Sequence, residues 1–290
     1  LINPFDQLKE ILDKRKNQGL KMVWLDNSAS TGTTHFEILP FVDAYWKKQL
    51  LLDRSIYKKK LLGDRIYTDY YVKNNSAKIE NNYNFFPLDS NLSDKISLSW
   101  NLGVGPYGLN NNISNLLRRL PWYLKRFLRY SYPNTSCLYS TFREREICFR
   151  GSNSYSNSAI SLQRTITLQK LKKYSINTKS IKHNLFLKEL QNSKIAISPY
   201  GYGEICYRDF EIFFNGSALL KPSMDHLETF PQWYIKNKTY IPLDWDFENF
   251  DDLILFFKDN EEKRLEIANE GQRNFLNFHS NDSQEFFCKR

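Results

Sequence analysis

The segment from Ile195 to Gly216 constrains the fold more than any other part of the chain. Ile195-Ala-Ile197 is a short apolar run with turn residues after it, the mark of a buried strand. Ser198-Pro-Tyr-Gly-Tyr-Gly203 follows, with two glycines for close backbone approach. From Glu204 the pattern becomes helical and stops at Asn215-Gly216. A strand, a glycine loop and a helix start in that order predict an α/β unit, with its ligand beyond the carboxyl end of the strand. Free N–H groups and the positive dipole end make such a helix start a seat for phosphate. Arg208 can add a bidentate contact to a diphosphate. Glu211, three residues on and on the same helix face, can accept from two ribose hydroxyls. The plain alternative stays open, that Arg208 and Glu211 form a surface ion pair and Gly216 is an ordinary helix end.

The rest of the second half extends the same alternation. Ile147-Cys-Phe149 reads as a strand leading into Arg150-Gly151, and 159–173 as a helix with Ile160, Leu162, Ile166, Leu168 and Leu171 near helical spacing. A short helix is expected at 185–190, strands at 218–220 and 239–241, and helices at 249–257 and 261–277. Alternating strand and helix imply a parallel, doubly wound sheet.

Gly203-Glu204-x-x-x-Arg208-x-x-Glu211-x-x-x-x-Gly216, followed by Ala218-Leu-Leu220 and Lys221-Pro222, resembles the donor-site motif of GT-B glycosyltransferases, above all the exostosin-like and "group 1" bacterial enzymes. The resemblance covers residues 145–275 well and 1–140 loosely. It implies two Rossmann-like domains with parallel doubly wound sheets facing a cleft: residues 1–140 on the acceptor side, N-terminally incomplete, and 141–290 binding the donor, with a terminal helix crossing back. It also implies sugar transfer from a nucleotide-diphosphate donor to a glycan or lipid-linked acceptor in surface polysaccharide synthesis, with no cofactor and no metal. Glu211 then holds the ribose and Arg208 the diphosphate. Arg150 is a second phosphate ligand, with Gly151 admitting the backbone. Glu204 faces the sugar or stabilises the first helical turn, and Lys221 reaches a phosphate or sugar oxygen or is solvated. Arg164, inside the following helix, reads as structural.

Such a reaction needs the acceptor hydroxyl placed and often deprotonated, and that base should come from the first half. Asp26 is the leading candidate, because Lys21-Met-Val-Trp-Leu25 reads as a strand that delivers it in front of a Ser/Thr-rich loop. It can equally cap the turn with Asn27 and Ser28. His35 and Asp43 are its rivals. Residues 5–17 are expected to be an amphipathic helix, 47–61 a helix and 73–115 mostly loops. Asp244-Trp-Asp246 matches the metal-binding signature of the other glycosyltransferase fold, but here it lies late, just before a helix that Asp246 or Asn249 can cap.

Charge divides the chain unevenly. The 290 residues carry a net +9, and residues 1–140 hold 20 Lys/Arg against 12 Asp/Glu. A basic first half suits an anionic partner. Residues 116–130 hold five basic side chains, no acid, and interleaved leucines and aromatics. That suits peripheral contact with an anionic membrane, a lipid-phosphate acceptor, or an ordinary amphipathic helix. Nucleic acid is not the expected partner, since no RNA-binding motif is visible, although a basic nucleic-acid-binding protein and a catalytically inactive nucleotide- or glycan-binding module are the alternatives. No apolar run is long enough to span a bilayer. Four scattered cysteines form no disulfide or zinc framework. These features predict a cytoplasmic protein, in the peripheral case at the inner face of the membrane.

Overall fold

The computed structural model describes residues 4–75, 77–78, 83–99, 121 and 142–278. It contains two parallel sheets. The first joins β1 (Val23–Asp26), β2 (Ala44–Lys47) and β4 (Ile96–Leu98) in that order, with Val23 opposite Ala44 and Tyr45 opposite Ile96. The second joins β5 (Arg145–Cys148), β6 (Ser193–Ile197), β7 (Ala218–Pro222) and β9 (Ile241–Leu243), in register through Ile147, Ile195, Ala218 and Leu220 with Ile241. Each sheet belongs to one Rossmann-like α/β unit.

The second sheet is buried on both faces, which is why its strands read as continuous apolar runs rather than alternating ones. Ile147, Ile195, Ile197, Ala218, Leu220, Ile241 and Leu243 point to one core, with helices α6 (Phe250–Asp259) and α7 (Glu261–Phe278). Cys148, Ala196 and Leu219 point to the other, with α3 (Ser158–Lys172), α4 (His183–Gln191) and α5 (Tyr207–Asn215). Helix α5 ends as the sequence predicts, with Gly216 left-handed at φ 69°. Within the described residues α7 packs on α5 and β7.

The first half departs from expectation between 47 and 61. Instead of a helix, the chain forms the end of β2, a two-residue strand β3 (Leu50–Leu51) and a 3-10 turn at Arg54–Lys58. The reason lies in the burial pattern: Tyr45, Lys47, Leu50, Leu51 and Tyr57 are all buried, and Lys47 enters the core only because Asp26 neutralises it there. Helix α1 (Pro4–Asn17) forms as expected. Within the stretch read as loop, β4 and the end of α2 (Ile66–Asn75) are regular.

The two halves interlock. Strand β3 pairs antiparallel with β8 (Leu227–Glu228), and Tyr67 and Tyr71 of α2 belong to the core of the second half. Tyr67 donates to the Gly201 carbonyl at 2.7 Å, and Tyr71 donates to the Trp245 carbonyl. The boundary expected near Thr141 and the basic segment 116–130, apart from Pro121, lie outside the described residues.

Candidate functional site

Loops beyond the carboxyl ends of both sheets meet: 27–34 after β1 and 48–49 after β2 on one side, 149–156 after β5 and 198–206 after β6 on the other. Gln49 stitches them, donating to the Ala29 carbonyl at 2.6 Å and accepting from the Ile205 N–H at 3.2 Å.

Glu204 sits in this seam, and here the structure corrects the sequence reading. Helix α5 starts at Tyr207 with Cys206 as its cap, so Glu204 lies before the first turn. It is fully buried and accepts from the Thr31 N–H at 3.1 Å and the Thr31 hydroxyl at 2.5 Å, with His226 Nε2 3.9 Å away. Burial pushes its carboxyl up, but His226 and the Thr31 donors outweigh that and hold it below the ordinary value. Gly203 is buried against Ala29, whose carbonyl oxygen lies 1.6 Å from where a Cβ would stand.

Lys221 is also relocated. β7 runs to Pro222, so Lys221 lies inside the strand, fully buried, 3.1 Å from Asp209 Oδ2 and 3.3 Å from the Ser198 carbonyl. Asp209 further accepts from the Cys206 N–H at 3.0 Å and the Tyr234 hydroxyl at 2.6 Å. This charge holds the loop and the start of α5 together.

Asp26 ends β1 as predicted, but it is buried. It accepts from Lys47 Nζ at 3.0 Å, the Ser28 N–H at 2.8 Å and the Tyr45 hydroxyl. Burial raises its carboxyl, yet Lys47, Ser28 and Tyr45 bring the net direction down. A carboxyl depressed in the folded state stabilises fully above the unfolded value of about 3.9 and loses that contribution as pH falls through the folded value. Glu204 behaves alike. Urea midpoints measured against pH should therefore drop below about pH 4, and Asp26→Asn should flatten that acid limb. Of the rival bases, Asp43 is tied to the Met22 N–H at 2.8 Å and Lys21 at 3.2 Å, and His35 pairs with Glu37 at 3.4 Å.

Two predicted ligands find other partners. Arg150 grips Glu189 bidentately, at 2.7 and 2.5 Å, and donates to the Lys179 carbonyl. Glu211 accepts from His183 Nε2 at 2.7 Å, not from Arg208. In the Asp244-Trp-Asp246 segment, Asp246 accepts from the Glu248 N–H at 3.0 Å.

Arg208 remains at the surface of the site. It donates to the Arg150 carbonyl at 2.8 Å and stacks 5.5 Å from the Phe149 ring centroid. Beside it stands a residue that reads as structural from the sequence alone. Arg164 is 5% exposed, lies 4.5 Å from the Tyr155 ring centroid and makes one long contact, 3.4 Å, to the Tyr200 carbonyl. Its Nε is buried without a partner. An alanine Cβ at Gly151 would stand 3.1 Å from its Nη1. Burial, and then the charge of Arg208, push the Arg164 guanidinium down from its ordinary value. Both arginines donate to backbone carbonyls, and neither pairs with a carboxylate among the described residues. The sequence did carry a signal: Ile160, Gln163, Arg164, Thr167 and Leu171 share the buried stripe of α3, and a charge on such a stripe is uncommon unless compensated.

No protein-family model matches the sequence, and no curated protein sequence does. Among solved structures, the chain is similar to an α1,3-fucosyltransferase (14% identity, TM-score 0.42, covering 93% of this chain and 68% of that one). It is similar to a glycosyltransferase from Rickettsia africae ESF-5 (14% identity, TM-score 0.39, 99% and 82%). A third is an α-glucosyltransferase in complex with UDP-glucose and DNA containing an abasic site (12% identity, TM-score 0.36, 97% and 75%). At these values the likeness carries no argument about activity, and the fold rests on the strand order and register of the two parallel sheets.

Proposed function

We propose that this protein is a glycosyltransferase that binds a nucleotide-diphosphate sugar between its two halves, with Arg164 and Arg208 on the diphosphate. One observation carries the proposal: two guanidinium groups flank the Arg150–Gly151 backbone beside the start of α5, and neither has an anionic partner among the described residues. Two like charges held close, one of them buried, cost free energy that a bound anion recovers. A pyrophosphate supplies two adjacent negative groups, and the α5 start supplies the dipole that favours them. Stabilisation of a leaving diphosphate is the electrostatic work that sugar transfer from such a donor requires.

Other elements of the reading follow from the motif. Glu211, held by His183, is the ribose acceptor, and the acceptor substrate is a glycan or a lipid-linked saccharide brought to the first half. Arg150 supports the site by presenting its carbonyl to Arg208, while its own charge is spent on Glu189. Asp26 serves through Lys47 and the 27–34 loop, with its carboxylate occupied by three donors. The described residues contain no helix long and apolar enough to cross a membrane.

A thermal-shift screen against nucleoside diphosphates and nucleotide sugars tests the donor assignment. At least one diphosphate should raise Tm, with about 2.7 kcal/mol of added stability at a hundredfold excess over Kd. The shift should vanish in Arg208→Ala. No response to any diphosphate contradicts the proposal.

A further inference from the structure

Arg164 supplies half of the proposed diphosphate seat, yet it is covered. The residue is 5% exposed, and its Nε is shielded from solvent. Three neighbours close around the guanidinium. The Gly151 backbone is one, since a Cβ there would stand 3.1 Å from Nη1. The Tyr200 carbonyl is the second, accepting from Nη2 at 3.4 Å. The Tyr155 ring is the third, its centroid 4.5 Å from the guanidinium carbon. A phosphate oxygen bonds an arginine N–H at about 2.7–2.9 Å, so a diphosphate reaches Arg164 only when one of these three withdraws.

Two of them are fixed. Tyr200 is fully buried, with its N–H donating to Gln163 at 2.6 Å and its hydroxyl to the Ser223 carbonyl at 2.5 Å. The Gly151 N–H donates to the Thr178 carbonyl at 3.0 Å, and the residue before it, Arg150, is tied to Glu189. Tyr155 is held less firmly. It is half-buried, while Ser152, Asn153, Ser154 and Ser156 around it are exposed. Its ring meets Tyr202 edge-on at 6.0 Å, and Tyr202 is itself 48% exposed.

The loop is anchored on both sides of that ring. Asn153 donates to the Thr165 hydroxyl at 3.0 Å, and its carbonyl accepts from the Ser161 hydroxyl at 2.8 Å, both on α3. Asn157 caps α3 by accepting from the Ile160 N–H at 3.1 Å. Ser154, Tyr155 and Ser156 span the gap between these anchors, so the ring can swing away while the loop and the helix keep their bonds. The energetics favour the exchange. An aromatic face against a guanidinium is a weak contact, and a charge-assisted phosphate bond is a stronger one.

We infer that Tyr155 is a gate on the donor site, its ring covering Arg164 until a diphosphate displaces it. This rests on the diphosphate assignment proposed above and adds a regulation to it: the site occludes itself, and every donor must compete with a side chain of the protein.

Calorimetric titration of the whole protein with inorganic pyrophosphate tests the gate, because pyrophosphate engages the arginines without a base or a ribose. Tyr155→Ala removes the competing ring and should bind pyrophosphate about 3- to 30-fold more tightly than wild type, the factor corresponding to one cation–π contact. Tyr155→Phe, which restores the ring, should restore the wild-type affinity. Phenylglyoxal labelling with peptide mass mapping gives a measurement independent of affinity. Arg164 should be protected in the wild type and labelled several times faster in Tyr155→Ala. Pyrophosphate bound no more tightly by Tyr155→Ala than by wild type overturns the gate and leaves the diphosphate site standing. Rapid labelling of Arg164 in the wild type overturns the gate without any variant. Pyrophosphate and nucleoside diphosphates bound by neither protein remove the site, and the gate with it.

Discussion

Gly203→Ala is expected to disrupt the contact between the two halves. A Cβ at this position stands 1.6 Å from the Ala29 carbonyl oxygen, 2.7 Å from its carbon and 2.8 Å from Gln49 Nε2. Real Cβ atoms do not approach backbone that closely, and a carbonyl cannot rotate aside as a side chain can. Either the 27–34 loop or the 198–206 loop must move. Movement of either loop strains the bonds that close the seam: Gln49 to Ala29, Gln49 to Ile205, and Thr31 to Glu204. Overpacking alone costs about 1–3 kcal/mol, and an unsatisfied Glu204 in the interior adds a penalty of comparable size. A loss of about 3 kcal/mol or more in urea unfolding is expected, together with loss of any diphosphate-induced thermal shift. Gly201→Ala is the control, since its Cβ would meet nothing nearer than Cys206 Sγ at 3.5 Å. It should cost less than half as much. Equal effects at the two glycines contradict this account of the seam.

Lys221→Met should be destabilising on a similar scale. A phosphate ligand and a buried structural cation at Lys221 predict different outcomes. As a ligand, its loss weakens nucleotide binding and spares the fold. As the buried partner of Asp209, its loss strands a carboxylate that is itself fully buried, at a cost of about 3–5 kcal/mol. The geometry supports the second. Neutralising the stranded charge should return part of the loss, so Lys221→Met with Asp209→Asn should be more stable than Lys221→Met alone. Urea denaturation of the wild type and the two variants measures this directly. Lys221→Met with unchanged stability contradicts the structural assignment.

How much of this was legible beforehand depended on whether local pattern or distant partners decided each element. The strand at Ile195–Ile197, the glycine loop and the Gly216 end of helix α5 follow from residues close in sequence, and they appear where the pattern places them. So do α1, α3, α6 and α7. The helix expected over 47–61 does not form because the burial of Lys47 depends on Asp26, twenty-one residues earlier, and a charged residue in an apolar run otherwise suggests an exposed helix face. Helix α5 starts three residues after Glu204 because Glu204 turns to Thr31, a partner in the other half of the chain. Arg150 and Glu211 have the residue types of phosphate and ribose ligands, but Glu189 and His183, distant in sequence, already engage them. Arg164 reads as structural because it lies mid-helix. Its position on the buried stripe was the better guide, because spacing records which face a residue occupies and not what waits on that face.

In the proposed function, Arg164 and Arg208 act together on one diphosphate. Isothermal titration calorimetry of the tightest-binding nucleoside diphosphate from the thermal screen, against wild type, Arg164→Met, Arg208→Met and the double variant, tests that most directly. Each single substitution should weaken binding by about 1.5–3 kcal/mol, the range for a hydrogen bond to a charged group. The double variant should lose less than the sum, because the two groups share one ligand. Undiminished affinity in both single variants, with their folds intact, would show that the diphosphate seat lies elsewhere.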